Sequence, residues 1–491
     1  MYPSLEMIEQ IPNLRAYKCV PVAREIYADF TTPIEVVRTL KTQSRHIFLL
    51  ESVEDRKQWG RYSFVGFNPK LEIVCNNGKA QVRYLRDSDS HTSYEDHKQA
   101  IRETLVNYKS PKIENLPPFT GGLVGYFAYE YIGYIEPKLA YLFADNEGFN
   151  DVDLMLFDTL IAFDHFKQKI FLITNISLEN LTQSYAKARE YLENLEELLR
   201  SGTKARNQAF CFSTQPQADF SQAQFSAMVQ KAKMYIREGD IFQVVLSNPL
   251  RARASGSLFD VYRILRTSNP SPYMFYFASD ELEIAGASPE TLVKLLNGEL
   301  CTYPLAGSRP RGKDLDEDRT LQEELLHDEK ELSEHNMLVD LGRNDIGKVA
   351  KIGSVEVRSY MDIVKYSHIM HISSMVSGIL DNGKDALDAL RAILPAGTLS
   401  GAPKIRACEI IHELERNYRG IYGGAIGYLD FSGNMDTCIA IRLMYKKGDE
   451  VCIRAGAGIV IDSNPQSEFL ETLNKAKAMI DAAQNAQGGI R

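Results

Sequence analysis

Four glutamates at helical spacing are the first residues in this chain that could do chemistry. HDEKELSEHNMLVDL reads as a helix that sets Glu331 and Glu334 three residues apart on one face. SNPQSEFLETLNKAKAMI reads as a second helix, with Asn464 as its cap and Pro465 at its first position. Phe469, Leu473, Ala476 and Ile480 form its expected buried stripe, which leaves Glu468 and Glu471 together on another face. Two such faces turned toward each other would offer the oxygen ligands that Mg2+ accepts. That ion takes one or two carboxylates and completes its shell with substrate oxygens and water. Taken singly, each pair is also an ordinary solvated helix face, since glutamate is exposed by default.

Other candidates are weaker alone. RAGAGIV, at 454–460, ends an expected strand just before the second glutamate helix, where its backbone N–H groups could cradle an anion or its glycines could serve tight strand packing. Arg442 lies in CIAIRLMY, an otherwise apolar strand, and needs a carboxylate from the protein or from a ligand if buried. His371, in SHIMHISSMVSG, suits general-base work and equally a hydrogen-bonded place in a core. Glu290 follows Ser288-Pro289 between two strands; it is a turn residue by spacing, and a proton donor if a dry cleft raises its pKa.

The elements that must position these groups are mostly strands. LEIVCNNGKAQVRYL and TLVKLLNGELCTYPLAG each place Asn-Gly between apolar runs, at Asn77-Gly78 and Asn297-Gly298, a strong hairpin signal. LMLFDTLIAFDHFKQKIFLITNI reads as a pair of long strands, SLENLTQSYAKAREYLENLEELLR as a helix, and DIFQVVLSNPLRARA as another strand. GGAIGYLDFSGNMDTCIAIRLMYKKGDEVCIRAGAGIV reads as a meander with turns at Ser432-Gly433-Asn434 and Lys447-Gly448-Asp449. TGGLVGY at 120–126 echoes YGGAIGY at 422–428, and paired glycines of this kind mark a bulge or a close backbone approach. The polar stretch over 201–218 is the expected linker between 1–200 and 219–491. The class is α+β with large, mostly antiparallel sheets.

Composition narrows the functions. The 491 residues are 44% apolar and 25% charged, the balance of a globular protein, and length predicts two or three domains or two large lobes. A net charge of −9 argues against nucleic acid, where affinity rests on Lys and Arg meeting phosphates. No apolar run approaches the ~20 residues that span a bilayer, and the start lacks the pattern of a signal peptide. The seven cysteines are scattered without a CxxC pair, so neither a zinc cluster nor a disulfide framework is expected and a reduced, cytoplasmic setting is.

Seven strings together, DIFQVVLS, IAGASPETLVKL, YPLAGSRPRG, DEKELSEHNMLVDLGRND, PAGTLSGAPKIRACEII, DTCIAIR and RAGAGIVIDSNPQSEFLET, carry a resemblance to the chorismate-utilising enzymes over about 47–482. The resemblance implies a sandwich of two large antiparallel sheets flanked by helices and built by both halves of the chain. It implies chorismate as substrate and Mg2+ as cofactor. Glu334 and Glu471 resemble the direct metal ligands, and Glu331 and Glu468 the partners of metal-bound waters. Tyr422, Arg442 and Gly456-Ala457-Gly458 resemble the carboxylate-binding elements. Gly307, Ser308 and Thr398 resemble residues lining the same pocket; Ser308 stands where the usual string has Thr, with the hydroxyl kept.

Two positions separate the branches. The isochorismate- and salicylate-forming branches carry a water-activating Lys where this chain has Gln243, and a neutral amide suits ammonia as nucleophile instead. The aminodeoxychorismate branch, the nearest alternative, carries Lys where this chain has Ala306. Together Gln243 and Ala306 select the anthranilate synthase branch. There, Glu290 would protonate the departing hydroxyl and His371 would remove the ring proton as pyruvate leaves, a lyase reaction that begins tryptophan biosynthesis. No Cys lies in a GxCxG setting, so ammonia is expected from a separate glutamine amidotransferase subunit, in a heterotetramer. Leu49-Leu50-Glu51-Ser52 and Pro272-Tyr273-Met274 resemble two parts of an allosteric site for inhibitory L-tryptophan that bridges the halves. Against a non-catalytic tryptophan-sensing scaffold stand intact Glu334, Glu471, His371 and Arg442.

Overall fold

The structure is a computed structural model that describes residues 1–52, 60–86, 90–143, 148–365 and 369–490, without the side chains of 141–143. Two antiparallel sheets, of thirteen and twelve strands among the described residues, form its frame, and each draws strands from both halves of the chain. Helices cover the outer faces, so the α+β sandwich anticipated from the sequence is the fold observed.

Local chemistry sets the hairpins. Asn77 and Gly78, and again Asn297 and Gly298, take left-handed backbone angles between the strand pairs Leu71–Asn76 and Lys79–Tyr84, and Thr291–Leu296 and Glu299–Thr302. Asn and Gly tolerate positive φ, so the turn follows the twist of its strands without strain. The two echoing glycine strings become neighbouring strands, Gly122–Phe127 and Ala425–Asp430, with Gly125 opposite Gly427. A Cβ on either glycine would fall about 2 Å from a backbone oxygen of the next strand, so the close approach foreseen there is real.

Two expectations need correction, for one reason. LMLFDTLIAFDHFKQKIFLITNI is three strands rather than two, and Val152–Phe157 belongs to the second sheet while Thr159–Asp164 and Lys169–Ser177 belong to the first. The C-terminal run is likewise no single meander: Ala425–Asp430 and Met435–Ile439 lie in the second sheet, Leu443–Lys447 and Glu450–Ile459 in the first. In both places the chain crosses between layers within one to three residues. Both layers bury the strands they receive, so hydrophobic pattern does not distinguish them.

Between the sheets, Tyr126, Ile426 and Cys438 of one layer meet Phe275, Ile284 and Leu443 of the other. Outside the first sheet, Leu192, Leu195 and Leu199 of the helix Leu181–Ser201 and Ala476, Met479 and Ala483 of the helix Pro465–Asn485 close a second core. Burying a side chain of the Leu or Met class contributes about 1.5–3 kcal/mol. In the stretch 201–218, Phe210 is fully buried, and Cys211–Phe212 and Gln217–Ala218 pair with the strand Gln243–Ser255. All seven cysteines are free thiols, only Cys211 of them exposed. Among the described residues no helix is long and apolar enough to cross a membrane.

Candidate active site

The two glutamate helices form as their caps dictate. Asp328 accepts from the N–H groups of Lys330 and Glu331 to start the helix Glu329–Gly347, and Asn464 accepts from Gln466 and Ser467 ahead of Pro465. The buried stripe of the second helix is rotated from the expected one. Thr472, Ala476, Met479, Ala482 and Ala483 face inward, while Phe469, Leu473 and Ile480 flank them half-buried. The reason is contact on two sides: Phe469 packs toward Phe225, and Leu473 and Ile480 against the core beneath the first sheet.

Glu331 and Glu468 both hold their protons more tightly than ordinary glutamates. Burial is the main cause for each; the neighbouring Glu334 adds to it at Glu331 and Glu471 at Glu468. Lys330, on the first helix, acts electrostatically on Glu468 of the second, which brings the two helix starts into one neighbourhood. Glu334 accepts from the Gln243 amide at 3.4 Å, and Glu471 is 2.7 Å from the Lys475 ammonium. Among the described residues no three His, Cys, Asp or Glu side chains converge as a ready-made metal cage. An ion that takes most of its shell from substrate and water does not need one.

Gly307 interrupts the strand Leu305–Pro310 with a register shift and φ of 65°. Glycine suits this place twice over, since a Cβ there would also stand 3.2 Å from the Glu331 carboxylate. The bulged Gly307 carbonyl accepts from His371 Nδ1 at 2.8 Å, and Ser308 lies opposite His371 across the ladder. A carbonyl can only accept, so Nδ1 carries the hydrogen and Nε2 is the basic nitrogen. Burial lowers the pKa of His371, the Gly307 bond opposes this, and Arg442 lowers it further.

Arg442 itself departs from expectation. It sits in no strand but in the crossover between Met435–Ile439 and Leu443–Lys447, with φ of 49°, and its carbonyl accepts from Ala287 N–H at 3.0 Å. The crossover also shapes the strand Glu450–Ile459. Leu443–Lys447 pairs with it only through Ile453, so along Gly456-Ala457-Gly458 only the strand Gln243–Ser255 forms a ladder. A Cβ on Gly456 would lie 2.8 Å from the Tyr422 hydroxyl, and one on Gly458 2.8 Å from Gln243 Nε2. Tyr422 and Gln243 therefore lie over the side-chain-free backbone of the glycine string. Tyr422 is buried, and burial pushes its pKa up to about 12.

Glu290 follows the strand Leu282–Ser288 and accepts from Thr398 Oγ1 at 3.1 Å. Burial pushes its pKa up to about 8, against the Thr398 hydrogen bond and the Lys475 charge. At neutral pH it is mostly the protonated acid. Glu290 is thus a carboxyl able to donate, and His371 an imidazole able to accept.

The two segments expected to form an effector site are neighbours as well. Ile47–Glu51 pairs with Tyr273–Ala278, Glu51 opposite Met274. Arg266 at 2.8 and 3.1 Å, Tyr262 at 2.6 Å and Ser63 at 3.2 Å all donate to the Glu51 carboxylate. Next to it, the buried Ser52 hydroxyl has no hydrogen-bond partner among the described residues. Pro272 precedes Tyr273, whose hydroxyl lies 2.9 Å from Asp436 and 2.9 Å from Thr291, the residue after Glu290.

Sequence reasoning missed the group beneath these residues. Glu415, Arg419 and Arg454 form a buried cluster: Glu415 contacts both guanidinium groups at 2.6 Å, and Arg419 donates to the carbonyls of Leu399 and Val245 at 2.7 Å. It thereby ties the Thr398 turn to the strand that begins at Gln243. Lys475 was missed too, although its four-residue spacing from Glu471 was a legible signal; it also donates to Gly456 O at 3.1 Å.

Comparison with known proteins follows the same outline. Residues 46–481 match the chorismate binding enzyme family. The chain is 43% identical to anthranilate synthase component 1 of Acetivibrio thermocellus, with 100% of both chains covered. It is 42% identical to the component 1 of Aquifex aeolicus over 99% of this chain and 98% of that one. The crystal structure of anthranilate synthase component I from Streptococcus pneumoniae TIGR4 superimposes with a TM-score of 0.75 at 38% identity, covering 93% of this chain and 99% of the other.

Proposed function

Because the chain belongs to the chorismate-binding enzymes, and among them to the anthranilate synthase component I group, we propose that this site converts chorismate and ammonia to anthranilate and pyruvate with Mg2+ bound. The observation that carries the reading is the oppositely tuned pair: Glu290 raised to about 8 and His371 lowered, one kept as an acid and the other as a base. Gln243 adds a neutral amide where a base would favour water, and Ala306 offers no amine that could attack the ring.

Tyr422, Arg442 and the Gly456-Ala457-Gly458 edge hold the carboxylates of chorismate, with Gly307, Ser308 and Thr398 along the same wall. Ammonia adds beside the ring carboxylate while Glu290 gives its proton to the departing hydroxyl, which leaves as water. His371 Nε2 then takes the ring proton as pyruvate leaves and the ring becomes aromatic. Positioned proton transfer of this kind contributes about 10²–10⁴-fold. Glu334 and Glu471 would hold the metal directly and Glu331 and Glu468 its waters. Their fit rests on donor type and on the excess of carboxylate charge, which the Lys475 ammonium now offsets at Glu471. When bound, Mg2+ supplies Lewis-acid polarisation and an anchor for the ring carboxylate.

A component 1 implies a second component, read here as a glutamine amidotransferase that delivers ammonia. Ser52, Pro272, Tyr273 and Met274 would bind L-tryptophan, the Ser52 hydroxyl, which has no partner among the described residues, meeting its polar end. One assay tests the whole reading: chorismate, ammonium and Mg2+ should give fluorescent anthranilate, lost on chelation and reduced by added tryptophan. Aminodeoxychorismate as product, or no turnover at all, would overturn it.

A further inference from the structure

A cavity of about 40 Å3 is lined by Glu290, Thr398 and Asp345 among largely aliphatic neighbours. At about 10–15 Å3 per water it has room for roughly three in file. Asp345 is buried at the end of the Glu331 helix, 2.8 Å from Lys404 Nζ and 2.9 Å from Lys348 Nζ. Lys404 also donates to Ile393 O at 2.7 Å. On the other side of these residues lies a larger cavity of about 470 Å3, lined by Lys404, Lys348, Lys384 and Arg391 with Asp388 and Glu136. The Lys404–Asp345 pair is thus the wall between the two spaces.

An acid enclosed beside its substrate donates one proton per turnover and must regain one. Building on the reading of Glu290 as that acid, we propose that Lys404 and Asp345 return its proton through the small cavity from the larger one. Glu290 gives its proton to the leaving hydroxyl, which departs as water. The Glu290 carboxylate takes a proton from water in the small cavity, that water takes one through the Asp345 carboxyl, which the Lys404 ammonium resupplies, and solvent in the outer cavity reprotonates Lys404. The proton drawn in is balanced by the one the attacking ammonia releases as it becomes an amine. Asp345 lines the small cavity and Lys404 the larger one, so their 2.8 Å ion pair is the step between the two. Burial lowers the pKa of Lys404 against the pull of Asp345, which makes the ammonium a readier donor than an exposed lysine.

Proton supply is tested by rescue with a diffusible acid. Lys404→Met keeps the aliphatic stem, and its kcat should fall by about tenfold or more with chorismate KM unchanged. Raising imidazole at fixed pH and ionic strength should restore the rate, while wild type stays indifferent to it. An unchanged kcat, or a loss that imidazole leaves untouched, overturns the relay. Gly342→Leu probes the path without breaking the ion pair: Gly342 borders the cavity, and a Cβ there stands 3.3 Å from Thr302 and 3.5 Å from Pro304. A folded Gly342→Leu enzyme with normal kcat would also overturn it. Glu290→Gln separates the two ideas. Its full activity would remove the acid itself, whereas its inactivity beside an unaffected Lys404→Met would remove only the relay.

Discussion

Glu290 and Glu415 are the same side chain withdrawn from water in two parts of one molecule, and they ionise in opposite directions. Burial pushes both pKa values up. At Glu290 the one opposing hydrogen bond comes from Thr398, and the value stays raised at about 8. At Glu415 the Arg419 and Arg454 charges outweigh burial and the value is lowered. Burial alone therefore does not make an acid catalyst; burial that the Lys475 charge and the Thr398 hydrogen bond are too weak to offset does. The fold supplies two arginines where it needs a fixed bolt beneath the site, and leaves them out where a proton must move.

Removing the bolt should have the largest effect. Glu415→Gln leaves two buried guanidinium groups short of their carboxylate, at a cost of about 3–5 kcal/mol. Because the folded pKa is depressed, Glu415 contributes stability above the ordinary value of 4.5 that is lost as pH falls through its folded value. Denaturant titrations should show the gap between wild type and variant at neutral pH and see it narrow in acid. A gap independent of pH would mean that Glu415 acts through packing rather than charge.

Glu290→Gln should do the reverse. Activity should fall by about 10²–10⁴-fold while the fold survives. Its raised pKa means that Glu290 contributes stability below 4.5 that is lost as pH rises through about 8. Glutamine does not titrate, so above pH 8 the variant should be the more stable protein. The same titrations in alkali check this, and equal stability there would remove the contrast between the two carboxyls.

Thr398→Val gives the smallest effect and sharpens the comparison. The hydroxyl bond favours the charged form of Glu290, so its loss should raise the pKa further. A hydrogen bond to a charged group, worth about 1.5 kcal/mol, corresponds to about one pH unit. The alkaline limb of the kcat profile should move upward by about that much. Movement toward lower pH would show that Thr398 holds the protonated form instead.

The chemistry of the site was legible where it depends on short spacing. Asn464-Pro465 announced a helix start, and the steps from Glu331 to Glu334 and from Glu468 to Glu471 placed each pair on one face. Asn77-Gly78 and Asn297-Gly298 announced their turns, because left-handed angles restrict the residue types that adopt them. The string resemblance carried the rest of the candidate list, including Glu290 and His371, which composition and periodicity left open. Glu415, Arg419 and Lys475 went unnoticed since a buried charge and an exposed one look alike in a helix until its neighbours are known.

By itself the sequence determined the helix starts, the Asn-Gly turns, the antiparallel class and the identity of the groups able to donate, accept or ligate. These follow from backbone angles and side-chain chemistry that act within a few residues. Only the tertiary structure decided which sheet each strand joins, where the chain crosses between layers at Asp158 and at 440–442, and which carboxyls lose their water. It set Gly307 O against His371, made the Gly456-Ala457-Gly458 edge by ending a neighbouring strand early, and gave Glu290 and Glu415 opposite proton affinities. Those outcomes depend on groups tens to hundreds of residues apart, brought together because each sheet face can be buried only against the other layer or its helices.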